Sequence, residues 1–309
     1  MGSVLFIACT PVARYMMLEV LNNPALASVE ICGVVNLNQD AAVGKANFDN
    51  YSDIALQYSL PMHYCNNVND AETMQWMRER KPDIIIQSGW SQKFSAELLS
   101  LPKYGCIGEH PAPLPRGRGA ACINWAILTG ETNWGDSFFQ MLEQYDAGVL
   151  YAQEFFDIEP QDDVATVYDK VALTSRNIVR ENIVNWANGI FSPMEQDESK
   201  VTYYKRRRPA DGEFTFDMDA AQLYNFIRAQ AHPYPGAFFM MNGAKHTVWK
   251  AAPTTLQSDK PNGTLLGTTE NGGVLVAAQN GVIEFLRVQT EGNPALWGKA
   301  WYALSCEEK

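Results

Sequence analysis

Lys81-Pro82-Asp83-Ile84-Ile85-Ile86 is the stretch that decides the fold. Three β-branched residues run on without a polar break, the pattern of a strand buried on both faces of a parallel sheet. Similar apolar runs lie upstream, at Val4 to Cys9 and at Ile31 to Val35, and downstream at Gly105-Cys106-Ile107. Between them come helix-like stretches. Pro11, a favoured first helical residue, opens one that continues through Leu21. Farther along, Val167, Val171, Ile178 and Ile183 recur near the helical period within Val164 to Trp186, and Gly189 follows as a stop signal. Strands alternating with helices predict an α/β layer fold with a mostly parallel sheet.

The composition changes beyond residue 200. Val201 to Gly212 is polar, basic and contains Pro209, so it reads as a linker. Asp219 is placed to cap a short helix with an apolar stripe of Leu223, Phe226 and Ile227. From Pro233 onward, Pro235-Gly236, Asn242-Gly243, Asn262-Gly263 and Asn280-Gly281 separate short apolar segments. That spacing predicts a small all-β domain. The expected division is residues 1–203 for the α/β domain and 204–309 for the linker and a small β-rich, OB-like domain.

With 309 residues, 46% hydrophobic, the chain has material for one large and one small core. It holds no run of about 18 apolar residues, so no membrane-spanning helix is expected. MGSVLFIACT lacks a basic segment and reads as a buried first strand rather than a signal peptide or an acylation site. Cys9, Cys32, Cys65, Cys106, Cys122 and Cys306 form no CxxC pair and no zinc-spaced cluster. Reduced, buried thiols of a cytoplasmic protein and no metal site are the expectation. The net charge is −11; residues 1–204 carry 13 Lys and Arg against 25 Asp and Glu, and the remainder 11 against 10. Nucleic-acid binders neutralise phosphate with a basic face, and neither part has an evident excess.

The most unusual stretch is Gly105-Cys-Ile-Gly-Glu-His-Pro-Ala-Pro-Leu-Pro-Arg-Gly-Arg-Gly119. A strand ends near His110 and a turn rich in proline and glycine follows. Sites in parallel α/β sheets form beyond the carboxyl ends of strands, and an imidazole there can act as a general base near neutral pH. A lone histidine is more often a structural hydrogen-bonder. In Met141-Leu-Glu-Gln-Tyr-Asp146-Ala-Gly-Val-Leu-Tyr151, Asp146 falls on a turn between two strands. An aspartate before Ala-Gly commonly bonds its own backbone, but beside an imidazole it would orient the ring and favour its charged form.

HPAPLPRGRGAACINWAILTGET followed by QMLEQYDAGVL resembles the signature of the formyltransferases that use 10-formyltetrahydrofolate. The resemblance continues through YYKRRRPADG, NFIRAQAHPYPGAFF and KHTVWKAAP, and so covers nearly the whole chain. Within that family the likeness is greatest to the nucleotide-sugar N-formyltransferases. It implies a Rossmann-like catalytic domain, His110 as the base and Asp146 as its partner. It implies a folate site on Ser88, Gly89 and Trp90 and on Glu143 and Tyr145, reading the pterin mainly through backbone groups; a core aromatic is the alternative for Trp90. Lys205, Arg206 and Arg116 are candidate diphosphate contacts; the Lys205-Arg-Arg-Arg208 run could equally take the folate glutamate tail, a solvated linker being its other alternative. One departure stands out: the family carries asparagine two residues before the histidine, as an oxyanion donor, and here that position is Gly108. A serine of the family pattern falls near Ala112.

The expected reaction is formyl transfer from 10-formyltetrahydrofolate to the amine of a nucleoside-diphosphate-linked amino deoxy-sugar, without a metal. Expected partners are that sugar nucleotide and, in a homodimer, a second copy of the chain, with neither nucleic acid nor membrane. A methionyl-tRNA formyltransferase, a formyltetrahydrofolate hydrolase and an inactive folate- or nucleotide-binding homologue are the alternatives.

Overall fold

The computed structural model describes residues 1–307, and the Cys306 side chain lies outside the described residues. The chain forms two compact units: Met1–Cys122, Asn133–Asp157 and Tyr168–Lys205 in the first, and Ile123–Thr132, Ile158–Val167 and Arg206–Lys309 in the second.

The elements begin with β1 (Gly2–Ala8), α1 (Pro11–Asn22), β2 (Val29–Leu37), α2 (Ser52–Tyr58), β3 (Met62–Cys65), α3 (Ala71–Arg80) and β4 (Ile84–Ser88). They continue with α4 (Ala96–Leu99), β5 (Cys106–His110), β6 (Arg118–Gly119), α5 (Cys122–Leu128), β7 (Asn133–Gln140), β8 (Leu150–Asp157), α6 (Val164–Trp186) and β9 (Tyr203–Tyr204). Seven strands form one sheet in the order β3-β2-β1-β4-β5-β7-β8. The first five are parallel, and β7 and β8 extend the sheet antiparallel. The order reverses between β1 and β4, as in Rossmann-like sheets, so sites are expected at the carboxyl ends of β1, β4 and β5.

Local chemistry explains the elements. Ile84, Ile85 and Ile86 are fully buried, with β1 on one side of β4 and β5 on the other. The α3 helix starts where the Asp70 carboxylate accepts from the Thr73 amide (2.7 Å), and it stops at Lys81 in a left-handed conformation just before Pro82. The α6 helix is capped by Asp163, which accepts from the Ala165 and Thr166 amides at 3.0 Å. Its buried stripe includes Val167, Val171, Ile178 and Ile183, and it ends before Gly189 at φ +76°. Cys9, Cys65, Cys106 and Cys122 are buried free thiols and Cys32 is half-buried. Among the described residues no helix is long and apolar enough to cross a membrane.

The second unit carries α7 (Ala220–Arg228), β10 (Ala237–Met241), β11 (Ala244–Pro253), β12 (Leu265–Thr268), β13 (Val274–Ala278), β14 (Gly281–Thr290), β15 (Leu296–Trp297) and α8 (Gly298–Glu307). Its antiparallel sheet follows the order β10-β11-β14-β13-β12, with β15 on β14. Asp219 caps α7 by accepting from Ala221 N–H (2.9 Å). Asn242 and Gly243, both at positive φ, make the two-residue hairpin between β10 and β11. The core gathers Phe214, Leu223, Ile227, Phe239, Val248, Phe285 and Trp301. The α8 helix corrects the expectation of a purely β segment after Pro233. Trp301 is buried, its indole N–H donating to His246 Nδ1 (3.1 Å), and this anchoring recruits the last turns as a helix.

Candidate functional site

His110 is the last residue of β5 and is buried. Its Nε2 lies 2.8 Å from the Gly117 carbonyl. A carbonyl only accepts, so Nε2 carries the hydrogen in the neutral ring and Nδ1 keeps its lone pair. The proline-rich loop after the strand has few amide donors of its own and is fixed by side chains of the next strands. Trp134 Nε1 donates to Pro111 O (2.8 Å) and Ser137 Oγ to Ala112 O (2.6 Å). Gln153 Nε2 donates to Leu114 O (2.9 Å). The loop then pairs through β6 with β9, where a Cβ on Gly119 would stand 2.2 Å from the Tyr204 carbonyl oxygen. Only glycine fits that approach, which also has φ +102°.

Asp146 lies in the turn between β7 and β8 at φ +55°, a conformation aspartate tolerates better than most residues. Its Oδ2 accepts from Gly119 N–H at 2.8 Å. Among the described residues no hydrogen bond or ion pair joins Asp146 to His110. Each is tied instead to the Gly117–Gly119 turn, the histidine through a carbonyl and the aspartate through an amide.

The other residues singled out in the sequence divide into buried and exposed. Ser88 is fully buried, and its hydroxyl donates to Glu109 Oε2 (2.6 Å), so it is committed inside the protein. Gly89 follows at φ +64°, its carbonyl accepting the Cys9 thiol hydrogen (3.2 Å). Trp90 packs in the apolar core of the first unit with Leu5, Ile7 and Phe94, the core alternative of its two readings. Glu143 and Tyr145 are exposed. Glu143 lines a cavity of ≈ 340 Å³ with Asn69, Lys93, Phe94, Ser95 and Ala96. Arg116 places its guanidinium 5.6 Å from the Trp134 ring centre. Lys205, Arg206 and Arg208 are exposed, whereas Arg207 turns inward, 5.2 Å from the Trp125 ring centre and 3.0 Å from Gln230 Oε1. Burial holds the Arg207 guanidinium below its usual pKa. Among the described residues no cluster of His, Cys, Asp and Glu could hold a metal ion.

Gly108 sits in extended strand and is not among the positive-φ glycines, so no backbone requirement selects it. Space does. A Cβ there would lie 2.7 Å from two atoms of the Phe139 ring and 3.2 Å from Met141 Cγ. The volume beside Gly108 is filled from β7.

Sequence reasoning missed two groups. Glu109 and Asp136 are buried carboxyls at positions otherwise occupied by strand-core residues, and an acidic residue inside CIGEH or WGDSFF was the available signal. Glu109 Oε2 accepts from Ser88 and Asp136 Oδ2 from Ser175, while Glu109 Oε1 and Asp136 Oδ1 have no hydrogen-bond partner. Burial raises the pKa of Glu109; burial and then repulsion from Glu109 raise that of Asp136 well above the carboxylate range. Two buried carboxyls this close disfavour each other's ionisation. The second group is Gln196 with Arg118. Polar residues of a linker region carry no local signal of where they fold back.

A family model described as "Formyl transferase" matches residues 3–183, and "Formyl transferase, C-terminal domain" matches residues 207–304. A methionyl-tRNA formyltransferase from Lactobacillus johnsonii is 30% identical over 284 residues, covering 88% of this chain and 90% of its own. Among solved structures, the N-formyltransferase from Helicobacter canadensis in complex with folinic acid and dTDP-3-aminofucose superposes with a TM-score of 0.68 at 16% identity, over 92% of this chain and 99% of that one. HypX from Aquifex aeolicus in complex with tetrahydrofolic acid gives 0.67 at 19% identity, over 96% of this chain; the match spans 46% of HypX. The two family models match in order along the chain and more than half of the chain is covered by the first match alone: the chain belongs to the formyl transferase family.

Proposed function

We propose that the protein moves a formyl group from 10-formyltetrahydrofolate to the amine of a nucleoside-diphosphate-linked amino deoxy-sugar. The observation that carries the reading is the His110 ring, fixed through Nε2 at the carboxyl end of a parallel strand with Nδ1 free to take a proton. The amine nitrogen attacks the formyl carbon, and His110 Nδ1 accepts the proton that nitrogen sheds. The carbon–nitrogen bond to folate N10 then breaks, and N10 leaves with a proton returned by the imidazolium. Asp146, bonded to the Gly119 amide and not to the ring, braces the turn whose Gly117 carbonyl orients His110. Gly108 offers no side-chain donor to the oxyanion, so protonated His110, a backbone N–H or a water takes that part. Gly89, Glu143 and Tyr145 are the proposed walls of the folate site, with Trp90, next to Gly89 in the chain, packed in the core. Lys205, Arg206 and Arg116 are assigned to the diphosphate on charge alone.

Charge supports the small acceptor. The second unit carries 10 Lys and Arg against 14 Asp and Glu, and the first 14 against 21. Neither supplies the cationic excess from which tRNA affinity is built. Methionyl-tRNA formylation is the second reading, favoured by the 30% identity to a methionyl-tRNA formyltransferase. Thermal unfolding with a folate analogue present distinguishes them, because a ligand that binds only the folded state raises Tm. A rise with UDP- or dTDP-linked amino sugars and none with methionyl-tRNA supports the proposal; the reverse pattern overturns it.

A further inference from the structure

The turn that bears Asp146 is held from behind by a side chain in the segment after α6. Gln196 is buried, and its amide is used at both ends. Its oxygen accepts from Arg118 Nη2 (2.8 Å) and Nε (3.2 Å). Its nitrogen donates to the Asp146 carbonyl (2.8 Å) and to the Gly148 carbonyl (2.7 Å). Guanidinium groups only donate and backbone carbonyls only accept, so the amide has one permitted orientation. Glutamate lacks the donors, lysine lacks the acceptor and methionine lacks both. Arg118 is itself fully buried and anchored by Glu198 Oε1 (2.6 Å).

These bonds close a ring. From the Arg118 side chain it passes through the Gln196 amide to the Asp146 backbone. It returns from the Asp146 carboxylate to Gly119 N–H, one residue beyond Arg118. The neighbouring Gly117 carbonyl is the one that fixes His110. We propose that Gln196 is a positioning residue: it sets the left-handed turn at Asp146 and thereby holds that carboxylate against the turn that orients His110. The inference rests on the formyl-transfer reading only in assigning Asp146 a part in the reaction.

Gln196→Glu tests it, because it keeps the acceptor for Arg118 and removes both donors to the Asp146 turn. The first arm uses no substrate. Amide hydrogen exchange at Gly119 is expected to speed up about tenfold or more, while Arg118 and Ala120, bonded to the Thr202 and Tyr204 carbonyls, keep their protection. The second arm is steady-state formyl transfer. Since an ångström of misplacement can cost about 100-fold, kcat is expected to fall by about tenfold or more with KM for the amine within about twofold. Gln196→Met, which removes both ends, repeats both arms if the glutamate variant fails to fold. Unchanged exchange at Gly119, or a uniform loss of protection with unchanged turnover per folded molecule, overturns the proposal. If the wild type formylates no amine, the functional reading fails, and the exchange arm still decides whether Gln196 sets the Asp146 turn.

Discussion

Glu109 and His110 are consecutive on β5, and the pleat sends their side chains to opposite faces of the sheet. Both are buried, yet they are held in different ways. Glu109 lies among Ser88, Asp136 and Ser175, where each carboxyl has one serine donor and one oxygen without a partner. Low polarity and a second acid make the charged state costly and raise both carboxyl pKa values. His110 lies at the strand end against a loop, with one ring nitrogen bonded to a carbonyl. That arrangement leaves the second nitrogen to exchange protons with whatever binds there. The difference teaches that burial alone does not mark a reactive group. On one face burial and a second acid raise the carboxyl pKa values; on the other a single bond fixes the ring through one nitrogen.

The largest expected effect tests the contrast between those faces. His110→Ala is expected to lower turnover by about 10²–10⁴-fold with an unchanged circular dichroism spectrum, the usual worth of a positioned base. Glu109→Gln, one residue away, is expected to stay within about threefold of wild type. Equal losses in the two variants would erase the distinction.

A middling effect is expected at Gly108, on the His110 face. Gly108→Asn forces its side chain into the Phe139 ring, and overpacking of this kind costs about 1–3 kcal/mol. Denaturant midpoints should fall accordingly, and turnover should not improve. Phe139→Ala alone should cost about 3–5 kcal/mol, and combined with Gly108→Asn the two losses should be less than additive because the asparagine fills part of the opened space. A hundredfold gain in turnover from Gly108→Asn alone would show that the oxyanion lacked a donor all along.

The smallest effect is a slope with pH. Burial raises the carboxyl pKa values of Glu109 and Asp136 in the folded state above an unfolded value near 4. The folded protein therefore binds more protons, and the contribution of the pair to stability is complete below the unfolded pKa and lost as pH rises. Asp136→Asn removes one of these titrations. Its stability relative to wild type is expected to increase as pH is raised above the unfolded value near 4, measured by unfolding at each pH. A flat difference would mean that the pair is already ionised.

Much of this was legible because it is local. The Ile84–Ile86 strand, the α6 period with its glycine stop, the Asp219 cap and the Asn242-Gly243 hairpin each depend on a few adjacent residues. The placement of His110 at a strand end and of Asp146 on a turn followed in the same way. What was not legible depends on register and on chain return. Glu109 meets Asp136 only because β5 and β7 pair as they do, and Phe139 fills the space at Gly108 for the same reason. Gln196 reaches Asp146 from beyond α6, and nothing in its neighbourhood of sequence signals that contact. Trp90, Ser88 and Arg207 show the converse: residue types that suggest ligand contacts were drawn into packing or internal hydrogen bonds.

The most direct measurement places both acceptors in one tube. Purified protein is given 10-formyltetrahydrofolate, methionyl-tRNA and a mixture of UDP- and dTDP-linked amino sugars at physiological salt, and formylated products are followed by mass spectrometry. The account predicts that a formamide forms on a sugar nucleotide, that formyl-methionyl-tRNA is negligible, and that His110→Ala slows the sugar product by about 10²–10⁴-fold. Efficient formylation of methionyl-tRNA with the sugars untouched would contradict it.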